Sequence, residues 1–134
     1  MEFHLGRTID HVHLRVADLD ASRRFYEAVL GALGLEMHAG DGYFSADELW
    51  VTADGPPTTG LHLAFQAADE EAVRRFHDAA VSSGGTDNGP PGERSYHPGY
   101  YAAYALDPDG NNVEAVSHGP VLRSADSVAV SPAD

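Results

Sequence analysis

The chain has 134 residues, a formal net charge of −13 and eight basic residues, all of them arginine. That length suits one domain with a real core, and 43% hydrophobic with 22% charged residues is the balance of an ordinary soluble globule. The acidity argues against nucleic acid or an anionic membrane as partner. The lack of cysteine and lysine excludes disulfides, thiolate chemistry and Schiff bases. No apolar run approaches the ~18 residues of a spanning helix, and the N-terminal residues carry no signal-peptide pattern, so a cytoplasmic protein is expected.

Ile9 to Val16 (IDHVHLRV) alternates as a strand. Val12, Leu14 and Val16 make the core-facing side, while Ile9, His11, His13 and Arg15 lie on the other. Asp18 or Asp20 caps a helix over Leu19–Leu33, whose Phe25, Tyr26, Val29, Leu30 and Leu33 form an apolar stripe that ends at Gly34. Short strands are expected over Leu35–Ala39, Gly42–Ala46 and Leu49–Ala53, before a linker at Asp54-Gly55-Pro56-Pro57. The plan then repeats. Leu61–Ala67 alternates, with His62, Ala64 and Gln66 on the less apolar side, and Asp69 caps a second helix with Val73, Phe76 and Ala80 inward. A Gly/Pro-rich run from Asn88 to Gly99 reads as a loop that could close over substrate. Two strands joined by Asp107-Pro108-Asp109-Gly110 finish the domain, and the tail beyond Gly119 reads as loosely held.

The pattern predicts an α+β domain spanning residues 1–134, with modules at about 9–53 and 60–118 and a flexible tail over 119–134. Glu114 stands among apolar residues in a strand, where an unpaired carboxylate is costly and calls for a cation. His11, His62 and Glu114 all occupy less apolar strand faces. Two imidazoles and a carboxylate suit a divalent metal (Zn, Ni, Mn or Fe) with open coordination positions.

The stretches IDHVHLRVADLDASRRFY, LHLAF and LDPDGNNVEAV resemble the vicinal oxygen chelate superfamily of glyoxalases, bleomycin-resistance proteins and extradiol dioxygenases. The resemblance implies two βαβββ modules that form a curled, cup-like mixed sheet with helices on the outer face. It also implies that His11, His62 and Glu114 match the metal ligands, and that the protein is an enzyme acting on a small molecule, with a homodimer as the default assembly. Glu48 or Trp50 stands nearest the fourth-ligand position of glyoxalase I. The leading expectation is a glyoxalase-like lyase or isomerase whose substrate chelates the metal through adjacent oxygens. An enediolate-like anion would form, with His13, Tyr104 or Glu48 moving the proton. The alternatives are an Fe(II) ring-cleaving dioxygenase and a non-catalytic protein that sequesters a drug or metabolite.

Overall fold

The computed structural model describes residues 2–134. Each half is a βαβββ unit. The first comprises β1 (Val12–Arg15), α1 (Leu19–Ala32), β2 (His38–Gly40), β3 (Tyr43–Ala46) and β4 (Leu49–Thr52). The second comprises β5 (His62–Gln66), α2 (Glu70–Ser82), β6 (Thr86–Glu93), β7 (Tyr101–Leu106) and β8 (Asn112–Ser117). Asp18 and Asp69 cap the helices through side-chain acceptance from the Ala21 and Ala72 amides. Gly34 takes φ +82° just past α1, the left-handed stop that lacks a steric cost only at glycine.

The sheets run in the orders β1-β4-β3-β2 and β5-β8-β7-β6. Each is mixed, because β1–β4 and β5–β8 are parallel and the other pairs antiparallel. The expected curled, cup-like sheet is not what forms. These are two separate open sheets, and among the described residues no ladder joins one to the other. The physical reason lies in where the apolar side chains go. One core cluster takes Leu14, Phe44 and Val51 from the first sheet, Val113, Ala103 and Ala115 from the second, and Phe25, Val29, Val73 and Phe76 from the helices. Burying one face of each sheet with the helices satisfies the hydrophobic pattern, and nothing in that burial bends either sheet closed.

A second difference lies in the Gly/Pro-rich run. Residues 88–93 belong to β6, which pairs only with β7 and carries register shifts on either side of Gly89. An edge strand tolerates Pro90 and Pro91, because their missing N–H groups leave no neighbouring ladder broken. No helix among the described residues is long and apolar enough to cross a membrane.

Candidate functional site

The faces of the two sheets that do not serve the core carry the chemistry. On the second sheet, the parallel register places Ala64 beside Glu114 and His62 beside Asn112. His62 and Glu114 therefore share a face one step apart, and His62 Nε2 lies 2.8 Å from Glu114 Oε1. Glu114 is 1% exposed, so its carboxyl oxygens depend on neighbouring side chains for partners, whereas His62 is exposed. The Tyr100 hydroxyl donates to the other carboxylate oxygen, Oε2. Tyr104 is the direct cross-strand neighbour of Glu114, with its ring 6.0 Å from that of His62 and the Arg94 guanidinium 5.3 Å from its own centroid. Burial first, and then the Glu114 carboxylate, push the phenols of both Tyr100 and Tyr104 upward, so both keep their protons near neutrality. His97 stacks on His118 beside Tyr100, with Nε2 and Nδ1 2.9 Å apart.

The first sheet's polar face holds the other predicted residues. His11 lies immediately before β1, where it pairs with Asp10 at 2.6 Å. His13 is the register partner of Trp50, whose ring stacks on Tyr43 with centroids 4.3 Å apart. Glu48 sits in the turn before β4 and is exposed. A cavity of about 570 Å³ is lined by His11, His13, Ser45, Glu48 and Trp50, among others. Glu48 and Trp50 thus lie at one cavity, Trp50 within the strand beside His13 and Glu48 at its entry.

Within one chain, His62 and Glu114 come together and His11 does not join them; among the described residues no three His, Cys, Asp or Glu side chains gather as a metal cluster. The pair itself fits a cation. Ligand bonds of about 2.0–2.2 Å place neighbouring donor atoms roughly 2.9–3.5 Å apart, close to the His62–Glu114 separation. Imidazole nitrogen and carboxylate oxygen also suit the metals expected from the sequence.

Three participants escaped sequence reasoning. Tyr100 sits in an aromatic run that reads as packing, and nothing local marks its hydroxyl. Thr52 and Asp54 fall at the end of β4 and in a linker, yet Thr52 Oγ1 lies 2.8 Å from His13 Nε2. Loop residue Asp54 accepts from both Thr52 and Arg15.

The turn after β7 proves to be a structural clasp. Buried Asp107 accepts from the Tyr26 hydroxyl at 2.6 Å and from the amides of Asp109 and Asn111. Asp109 accepts from the Ala17 amide, and Asn111 bridges the Leu61 amide and the Thr58 carbonyl. One turn of the second module is thereby bonded to the first module and to the linker. Gly110, at φ +84°, lets it reverse.

The family profile described as Glyoxalase/Bleomycin resistance protein/Dioxygenase superfamily matches residues 8–115. The chain belongs to this superfamily. A superfamily member of known structure, the glyoxalase/bleomycin resistance protein from Albidiferax ferrireducens T118, is 35% identical, with a TM-score of 0.68 over 80% of this chain and 95% of that one. A glyoxalase-related enzyme from Fulvimarina pelagi shares the fold at 20% identity, with a TM-score of 0.64 over 89% and 99% of the two chains. A glyoxalase I variant (V278E) from Zea mays is 26% identical over 81% of this chain, which spans 45% of that longer one, with a TM-score of 0.54. No curated protein matches the chain.

Proposed function

We propose that this superfamily member is a divalent-metal-dependent enzyme of the glyoxalase type, a lyase or isomerase acting on a small substrate with two adjacent oxygens. The observation that carries the reading is the buried Glu114 carboxylate aligned at 2.8 Å with His62. These two residues would hold the ion (Zn, Ni, Mn or Fe), and a homodimer would supply the third ligand, the partner's His11. Both the two separate sheets, which no ladder joins among the described residues, and the separation of His11 from the pair within one chain support a site completed between copies. A bound ion would supply Lewis-acid polarisation of a substrate oxygen. Tyr104, holding its proton beside Glu114, would donate a hydrogen bond to developing negative charge. The partner's His13 or the partner's Glu48, which line one cavity with the partner's His11, would take the proton from substrate. Likeness to the maize glyoxalase I variant favours this chemistry.

The donor set itself favours one second reading. Two imidazoles and one carboxylate are also the Fe(II) facial set of oxygenases, and the strand position beside His13 is Trp50 in place of a further carboxylate.

Metal analysis of the purified protein, followed by a screen against methylglyoxal–thiol adducts and catechols, tests the reading. Ni, Zn or Mn with isomerase activity supports it, and oxygen-labile iron with catechol cleavage supports the second. A tightly held organic ligand with no metal overturns both in favour of a sequestering protein. Mixing His11→Ala chains with Glu114→Gln chains tests the shared site: a mixed dimer regains one intact site of two, whereas a site confined to one chain regains none.

A further inference from the structure

On the first sheet, β1 and β4 run parallel, with His13 beside Trp50 and Arg15 beside Thr52. His13 and Thr52 therefore share the polar face, one diagonal step apart, with His13 Nε2 2.8 Å from Thr52 Oγ1. Thr52 is buried, and its Oγ1 is 2.6 Å from Asp54 Oδ1. Arg15 Nε donates to the same Asp54 oxygen at 3.2 Å. The segment is fixed behind them, since Thr58 exchanges bonds with the Arg15 backbone through its amide and its hydroxyl.

The direction of each bond follows from the donors available. The hydrogen bond from Thr52 is the main cause holding the Asp54 carboxyl below its ordinary value, with Arg15 adding to it, so Asp54 is ionised near neutrality and can only accept. A threonine hydroxyl has one proton, and here Asp54 takes it. Toward His13, Thr52 Oγ1 is left with lone pairs alone. Nε2 of His13 must then carry the hydrogen, and a neutral ring with its hydrogen on Nε2 has its lone pair on Nδ1.

We infer that Thr52 and Asp54 are positioning residues that lock His13 in its Nε2–H form, which makes Nδ1 the single basic nitrogen this ring can offer to a substrate. The inference rests on the reading that substrate lies against this face, and it chooses His13 over Glu48 as the proton acceptor. In the step it serves, the substrate's C–H or O–H bond breaks, its electron pair stays on the substrate, and the proton bonds to Nδ1. The resulting imidazolium keeps its Nε2–H directed at Thr52, whose hydroxyl dipole is aligned by ionised Asp54. Returning the same proton to the product restores the neutral ring, so no co-reactant is needed.

Nitrogen NMR of the full-length, ¹⁵N-histidine-labelled protein, recorded with the ring in its neutral form, tests this without metal or substrate. The expected result is a His13 ring with its hydrogen on Nε2, giving a visible N–H cross-peak because the bond to Thr52 slows exchange. Thr52→Val should erase that cross-peak and Thr52→Ser should keep it. Asp54→Ala should speed its exchange about tenfold. A hydrogen on Nδ1 in the natural protein, or a cross-peak unchanged in folded Thr52→Val, overturns the inference. Should Thr52→Val fail to fold, unchanged exchange in Asp54→Ala overturns it equally. Metal binding is measured separately through Glu114→Gln, so failure of the metal site leaves this spectrum as it is.

Discussion

His62 Nε2 and Glu114 Oε1 stand 2.8 Å apart although 52 residues separate them in the chain. The parallel β5–β8 ladder makes that meeting possible, because it carries the fifth strand alongside the last. Replacing Glu114 by Gln keeps the shape and removes the charge. Losing even an outer partner of a metal ligand costs about 10–100-fold in affinity, and a direct ligand, the role proposed for Glu114, should cost at least as much. Isothermal titration of Zn, Ni, Mn and Fe(II) measures it; wild-type affinity in the variant would remove Glu114 from the ligand set.

Tyr26→Phe should cost about 1.5–3 kcal/mol, since the deleted hydroxyl donates to a buried carboxylate. Asp107 keeps its two backbone donors, so the variant should still fold. Chemical denaturation gives the difference. A loss below ~0.5 kcal/mol would mean that the clasp between the modules is held by the bond from the Ala17 amide to Asp109 instead.

The same tyrosine predicts an alkaline limb. Burial, reinforced by Asp107, raises the folded-state pKa of Tyr26 above its ordinary value. Its contribution is then complete below the unfolded pKa of about 10 and is lost as pH rises above it. Stability should fall above about pH 10, and less steeply in Tyr26→Phe. Parallel slopes for the two proteins would contradict this.

Gly85→Ala should destabilise by about 1–3 kcal/mol. An added Cβ would lie 2.6 Å from Phe25 Cε2 and 2.7 Å from the Ala80 carbonyl oxygen, and the latter is backbone that cannot swing aside. Thermal unfolding measures the loss. An unchanged Tm would show that α2 and β6 can separate where they join.

An acid limb follows from Asp87, whose carboxyl is lowered mainly by the Gly89 amide and next by His77. A lowered carboxyl stabilises above its unfolded pKa of about 4 and loses that contribution as pH falls through the lower folded value. Asp87→Asn should flatten the stability profile below about pH 4 in acid titration monitored by circular dichroism. An unchanged acid limb would leave the fold of β6 independent of this bond.

Much of this protein is readable from residue order alone. Alternation along IDHVHLRV and LHLAFQA separates core from polar face, and the helical stripe through Phe25, Val29 and Leu30 is buried as its spacing demands. Caps at Asp18 and Asp69, and the stop at Gly34, act within a few residues of their partners, so local chemistry suffices to place them. Resemblance in the same stretches marks the superfamily. What alternation cannot say is how two sheets lie relative to each other, because it specifies which side of a strand is buried and not against what. Only the folded chain decides that the sheets stay open, that β6 continues through Pro90 and Pro91 at an edge, and that His62 meets Glu114 while His11 remains apart from them. The bonds between His13 and Thr52, between Tyr100 and Glu114 and between Tyr26 and Asp107 are tertiary for the same reason. Their partners lie far apart in sequence, and a hydrogen bond depends on position within a few tenths of an ångström, a precision that residue order does not carry.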